Sequence, residues 1–247
     1  MKEPTIVRLG REYAEGKRTY DVHFTKDPSA DVILNDIVNT PHAFVLACLM
    51  DKQMPAETAW IIPIKVFTYF GTKDIHRLGE IPESDYIKLF VEKKLHRFKE
   101  EQAKVFYAGV RKIVEEYNGN AANIWKGNPS SSTVVFRFMQ FKGAGVKIAT
   151  MAANILARQM HVKYSDYYSI DISPDVHIMR IFRRMGYVSK DATRDDVIYW
   201  ARSLNPEYPG IVDAPCWEIG RSICRPTDPQ CSKCPLYQEC EYADKQS

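Results

Sequence analysis

The sequence predicts an all-α protein, and three observations support that expectation. Apolar residues recur at helical spacing through consecutive segments along most of the chain. Short polar or glycine-containing turns separate those segments, with no internal repeat, low-complexity tract or flexible linker. Strand-like alternation occurs once, at Tyr20, Val22 and Phe24, which leaves a small N-terminal β element as the alternative.

From residue 30 the character is helical. Residues 30–38 are apolar-rich, and Asn39-Thr40-Pro41 reads as a helix N-terminus. Proline is tolerated in a first turn because its missing N–H would have no helical partner there. His42 to Met50 is apolar nearly all round, which predicts a helix buried on every side. Segments 56–70, 83–94 and 98–117 suit further helices, the last stopped by Asn118-Gly119. Residues 120–132 are polar, with Asn128 to Ser132 as loop. The chain then passes through 133–141 and a glycine-broken turn at 143–145 into a helix from 146 to about 160. Residues 161–174 lack helical period and read as a connector. Helices resume over 175–186 and 193–203, and a cysteine-rich loop closes the chain.

A chain of 247 residues can bury one large core or two medium ones. Its 45% hydrophobic and 26% charged residues are ordinary for a globular protein and argue against disorder. No stretch approaches the roughly 20 apolar residues of a membrane span, and the first twenty residues lack an apolar secretion core. The expectation is a cytoplasmic protein, nucleoid-associated if prokaryotic, with no membrane partner. A net charge of +3 neither demands nor forbids a polyanionic ligand, so local clustering must decide.

Four of the six cysteines crowd into one C-x6-C-x2-C-x5-C run, Cys224, Cys231, Cys234 and Cys240. In a reducing compartment such spacing points to metal rather than disulfides. Four thiolates can hold tetrahedral zinc or a cubane iron–sulfur cluster. Zinc modules usually pair their ligands in two C-x2-C knuckles, whereas this loop has one, so a 4Fe–4S cluster is favoured over zinc, and a disulfide pair least. Cys48 lies inside the apolar helix and reads as an inert buried thiol. Cys216 precedes the loop and takes no part in its spacing.

This cysteine spacing, at the end of an all-α chain, resembles that of the endonuclease III family of helix–hairpin–helix DNA glycosylases. The resemblance leaves the first 30 residues unexplained. It implies two helical lobes with the DNA cleft and active site between them: a helical barrel over 33–156, and a second lobe made of 1–32 and 157–247 that carries the cluster loop. In that family the cluster is structural and shapes a loop whose basic residues meet the DNA backbone. Arg221, Arg225 and Lys233 are the candidates here, solvated surface charge being the plainer role for each.

Residues Phe141 to Ala149 place Gly143-Ala144-Gly145 between two helices. Glycine permits a tight turn and close approach. The amides of Gly143 and Gly145, with those opening the next helix, form a ready phosphate site at its positive end. Taken alone, the hairpin makes Lys147 a phosphate contact. The resemblance implies instead that Lys147 is a nucleophile, because Ser173 to Arg180 resembles the family's aspartate segment and Asp175 matches its catalytic aspartate. Asp175 also suits a helix N-cap. Two departures stand out. The connector 161–174 is longer than the family's and carries His161, Lys163, Tyr164, Tyr167 and Tyr168, either as a surface loop or as extra wall for a base pocket. Lys142 stands where the family commonly has proline.

The resemblance further matches Gln53 to the glutamine that fills the gap left by a flipped nucleotide. Arg180, Arg183 and Arg184 follow Asp175 closely and are placed for phosphates. Phe98, near the start of the basic segment 93–112, suits core packing better than a wedge in the opposite strand. His177 suits capping or packing better than proton transfer. The implied activity is a bifunctional glycosylase and abasic-site lyase acting on damaged bases, with oxidised pyrimidines as the expected class. The Lys147 amine would add to the sugar C1′, expel the base as a Schiff base forms, and prepare elimination of the 3′ phosphate. Ionised Asp175 would stabilise positive charge on the sugar and could also help take a proton from the Lys147 ammonium. The implied partner is double-stranded DNA with its damaged base flipped out, bound by a monomer. Two alternatives stay open: a monofunctional glycosylase for mismatched or alkylated bases that activates water, and a DNA-binding protein without catalysis.

Overall fold

The structure is a computed structural model that describes residues 3–17 and 23–244. Among these residues every regular element is helical, as expected, and no strand occurs. Tyr20 and Val22 of the strand-like run lie outside the described residues. Phe24 is a buried ring stacked on Trp60, with centroids 4.2 Å apart.

The first helix, α1 (Thr5–Ala14), went unread in the sequence, although Ile6, Leu9, Gly10 and Tyr13 form one buried stripe. Helix α2 (Pro28–Asn35) starts under the Asp27 cap and stops short of residue 38. Helix α3 (Pro41–Met50) begins where expected and is buried at all ten positions. The stretch 56–70 is not one helix but two, α4 (Ala56–Trp60) and α5 (Ile62–Phe70). Pro63 explains the break, since it has no N–H to donate and its ring crowds the preceding turn. Helix α6 (Ile75–Glu80) was also missed. Its cap is Asp74, whose carboxylate accepts the amides of His76 at 2.8 Å and Arg77 at 3.4 Å. Helices α7 (Glu83–Glu92) and α8 (Lys99–Glu116) match their predicted segments, and α8 ends at Asn118 and Gly119, both at positive φ.

Helix α9 (Ser131–Met139) begins inside the run expected to be loop. A distant contact explains that start: the Ser131 hydroxyl donates to Asp166 and accepts the Ser169 amide at 3.1 Å. Then follow α10 (Val146–Arg158), α11 (Val176–Arg184) and α12 (Arg194–Leu204), with no helix in the connector 161–174. Helix α12 opens on a capping box between Thr193 and Asp196. Helix α13 (Asp213–Ser222) was not anticipated. No helix among the described residues is long and apolar enough to cross a membrane.

The chain divides into two compact units, Met1–Tyr20 with Ser130–Ser132 and Ala153–Ser247, and Asp21–Pro129 with Thr133–Ala152. In the second of these, α3 is the central element and α8 packs against it, as well as against α6 and α7. Gly109 permits the close approach, because a Cβ there would stand 2.8 Å from Leu49 and 3.1 Å from Leu46. Buried rings fill the remaining space. Tyr86 meets Phe106 and Phe70, and its hydroxyl donates to the Leu78 carbonyl at 2.8 Å. Each such ring contributes about 1.5–3 kcal/mol by leaving water. The other unit has its own core, in which Ile6 and Leu9 of α1 join Ile178, Ile181 and Phe182 of α11 and Ile219 of α13.

The turn between α9 and α10 is anchored at Phe141, which stacks on Tyr117 with centroids 5.9 Å apart. The Ala144 amide returns to the Phe141 carbonyl at 3.0 Å, and Gly143 takes φ +83°. Two predictions follow from this packing. The Gln102 side chain is fully buried, and neither amide atom has a partner among the described residues. Gln102→Met is therefore expected to stabilise the protein by about 1 kcal/mol in urea unfolding, and a loss of stability would show that the amide is satisfied. Gly143→Ala is expected to cost about 1–2 kcal/mol, from its left-handed backbone and a Cβ 3.1 Å from both Val105 methyls. Gly145→Ala, with nothing within 4 Å of the added Cβ, is the control. Equal melting points for the two alanine variants would refute this assignment.

Candidate active site and cysteine loop

Lys147 is the second residue of α10 and follows directly on the glycine turn. The first amides of a helix lack intrahelical acceptors and face outward at its positive end. Gly145 leaves that end open. The Lys147 side chain is 42% exposed, yet its ammonium is held: Nζ donates to Asp51 Oδ2 at 3.0 Å and lies 3.9 Å from Met151 Sδ. Asp51 follows α3 as its C-cap and its side chain is 13% exposed. Asp51 was not among the predicted site residues. A carboxylate at the negative end of a buried helix breaks the usual charge preference, and that was the available signal.

Around this pair the side chains are ordered. Burial pushes the Cys48 thiol well above its usual range; the Asp51 charge acts in the same direction and Lys147 in the other. Cys48 is thus the inert buried thiol expected. Lys52 points instead to Glu101, at 2.8 Å, and its hydrogen bond and charge hold that carboxyl below the usual range. Gln53 is exposed, with φ +51°. A non-glycine residue in the left-handed region is uncommon. Phe98, expected in the core, is only half-buried and lies under Lys52 and Arg97, each 5.5 Å from its centroid. The basic segment 93–112 is partly neutralised along its own helix, where Lys112 meets Glu116 at 2.6 Å and Arg111 pairs with Glu115.

Asp175 belongs to the other unit, and there it caps α11 as anticipated. Its Oδ1 accepts the amides of His177 at 2.8 Å and Ile178 at 2.9 Å. Its Oδ2 accepts no hydrogen bond among the described residues. Asp175 lines a cavity of about 790 Å³ with Arg180, Arg183, Arg184, Lys190 and Arg194. Arg180 is engaged internally: it donates to the Cys224 carbonyl at 2.7 Å, the Gly220 carbonyl at 2.7 Å and the Val176 carbonyl at 3.2 Å, with the His177 ring 3.0 Å away. The His177 ring is half-buried and meets the Arg180 guanidinium. In the connector, Tyr164 is buried and donates to the Ala153 carbonyl at 3.3 Å, while Tyr168 is exposed.

Beside Arg180, Arg184 ties the cysteine loop to α11. Arg184 Nη1 donates to Cys224 Sγ at 3.2 Å and to the Arg225 carbonyl at 2.8 Å, and Nη2 reaches the Pro226 carbonyl at 3.1 Å. The Cys240 thiol donates to the Arg184 carbonyl at 3.4 Å. Burial pushes the Cys234 thiol upward, and the nearby Cys224, Cys240 and Cys231 thiols add to the shift. Four cysteine sulfurs are the donor type that an iron–sulfur cluster uses, and they lie within mutual electrostatic reach. The thiols are not drawn into a coordination site, and no three His, Cys, Asp or Glu side chains among the described residues form a group that could hold a metal ion. Of the loop's basic residues, Arg221 lies over the Trp217 ring at 5.0 Å, and Arg225 bonds the Asp228 carbonyl at 3.1 Å. Lys233 borders a smaller cavity of about 280 Å³ with Tyr13 and Glu218.

No family model matches the chain. In sequence it is 24% identical over 203 residues to a protein named Endonuclease III from Thermotoga maritima, covering 82% of this chain and 83% of that one. An Endonuclease III from Rickettsia felis is 24% identical over 231 residues, covering 91% and 93%. In fold, a trapped endonuclease III–DNA covalent intermediate aligns with a TM-score of 0.61 and 18% identity over 100% of this chain and 99% of that one. A thermostable thymine-DNA glycosylase aligns with a TM-score of 0.61 and 15% identity over 98% and 94%. In sequence over most of its length the chain is similar to proteins named Endonuclease III, and along the whole of its length it shares the fold of an endonuclease III solved on DNA.

Proposed function

We propose that this protein is a DNA-repair glycosylase with abasic-site lyase activity, and that Lys147 is its nucleophile. The observation that carries the reading is the primary amine of Lys147, half-exposed on the first turn of α10 behind an open glycine hairpin. A lysine so placed can add to a sugar carbon while the neighbouring amides hold the flanking phosphate. Similarity to proteins named Endonuclease III, and to a structure trapped covalently on DNA, supports the same reading.

Each remaining residue then has a part. The Gly143 and Gly145 region receives the phosphate backbone of double-stranded DNA. Gln53, exposed at its bend, enters the space left by the flipped nucleotide. Asp175 stabilises positive charge on the sugar, its capped Oδ1 fixing the carboxylate while Oδ2 stays available. Arg180 acts from within α11 by holding the polypeptide that leads into the cysteine loop. Cys224, Cys231, Cys234 and Cys240 would hold a 4Fe–4S cluster, which in this family orders the loop. The protein works as a monomer, and its substrates are damaged bases, with oxidised pyrimidines as the expected class.

Borohydride trapping on a duplex with a single abasic site tests the nucleophile. The native protein is expected to give a covalent adduct that disappears in Lys147→Gln while DNA binding persists. No adduct from native protein that binds the duplex would overturn the lyase reading and leave base release by activated water, which a glycosylase assay then measures. For the loop, anaerobically purified protein is expected to contain about four irons and four sulfides per chain. Stoichiometric zinc in place of iron would refute the cluster assignment.

A further inference from the structure

Asp51 occupies an electrostatically poor position for a carboxylate. It caps the C-terminal end of α3, where backbone carbonyls already concentrate negative charge. Its own amide bonds the Cys48 carbonyl at 3.2 Å, and its side chain is 13% exposed, so water relieves the charge little. Its ion partner among the described residues is Lys147, 96 positions away in sequence and 3.0 Å away in space. Lys52, the adjacent cation, is turned to Glu101 instead. An ion pair whose lysine is 42% exposed contributes little to folding. Stability therefore does not account for placing a carboxylate here.

We infer that Asp51 is a positioning residue for the Lys147 amine and holds the proton that this amine must lose. The inference rests on Lys147 being the nucleophile. At rest, the carboxylate fixes the ammonium in one orientation, with Met151 Sδ at 3.9 Å as a soft neighbour. On attack, one proton passes from Nζ to Asp51 Oδ2, and the freed nitrogen lone pair forms the bond to C1′ of the abasic aldehyde. The carbonyl π pair moves to oxygen, which leaves as water once the nitrogen lone pair forms the C=N bond. Of the three ammonium protons, one remains on the iminium nitrogen and two depart with the water, one of them returned from Asp51. The step needs no other reactant. Asp175 is then left to its own task, stabilising charge on the sugar.

The test is single-turnover borohydride trapping on the abasic duplex with Asp51→Asn and Asp51→Glu, alongside DNA affinity and thermal unfolding. Asp51→Asn is expected to slow adduct formation about ten- to a hundredfold. Its dissociation constant for the duplex and its melting point should stay near native, and Asp51→Glu should recover part of the rate. Adduct formation by Asp51→Asn within about threefold of native would overturn the inference, as would a loss of DNA affinity that accounts for the whole loss of rate. Should Asp51→Asn fail to fold, Asp51→Ser gives the same comparison. If the native protein itself forms no adduct, the nucleophile reading has failed, whereas native trapping with an unimpaired Asp51→Asn condemns the role of Asp51 alone.

Discussion

The unit that carries Lys147 depends on one helix with no polar face. All ten residues of α3 are buried, so it can exist only if other elements surround it, and α8 lies close against it across Gly109. That requirement determines where α3 can end. At its C-terminus the chain must return toward water, and within four residues it passes from the buried Met50 through Asp51 to the exposed Gln53. The hydrophobic demand of the helix therefore sets the position of the polar residues that follow it. The glycine hairpin completes the arrangement from a distant part of the sequence: Phe141 is pinned to the end of α8 through Tyr117, and the first turn of α10 sets Lys147 beside Asp51.

In the other unit the constraint is polar. Helix α11 starts at a carboxylate and carries arginines whose guanidinium groups satisfy carbonyls around the cysteine loop. Arg180 reaches Gly220 and Cys224, and Arg184 reaches Cys224, Arg225 and Pro226. A loop with little regular structure leaves many carbonyls without partners, and arginine, with five donors in a rigid fork, can serve several at once. The helix that fixes Asp175 thus also orders the chain around Cys224 and Cys240. Arg180 contributes to this order through internal bonds, although a cationic residue near the cavity reads from sequence as a surface contact.

Much of both units could be read in advance where the signal is local. Helix α3 announces itself by ten consecutive residues fit for a core, α8 by Asn118-Gly119 at its end, and α10 by the glycines before it. The Asp175 cap and the cysteine spacing are local patterns too, and the structure places Asp175 as expected. The misses also have physical causes. Helix α1 interleaves its apolar stripe with arginines and glutamates, which hides a four-residue face in a short segment. Helix α13 follows a proline- and glycine-containing stretch that reads as loop, and Pro63 divides a segment whose apolar content suggested one helix.

Backbone periodicity, caps, breakers and the cysteine register are written in neighbouring residues, because each depends on a few consecutive dihedrals or on the next turn of a helix. The sequence by itself therefore determined the all-helical class, the hairpin with Lys147, the cap at Asp175 and the four-thiol loop. Only the tertiary structure decided that Ser131 opens a helix through Asp166, that Tyr164 is core, and that Asp51 meets Lys147. Those pairings join residues 35, 11 and 96 positions apart, and no periodicity links such residues before the chain has packed.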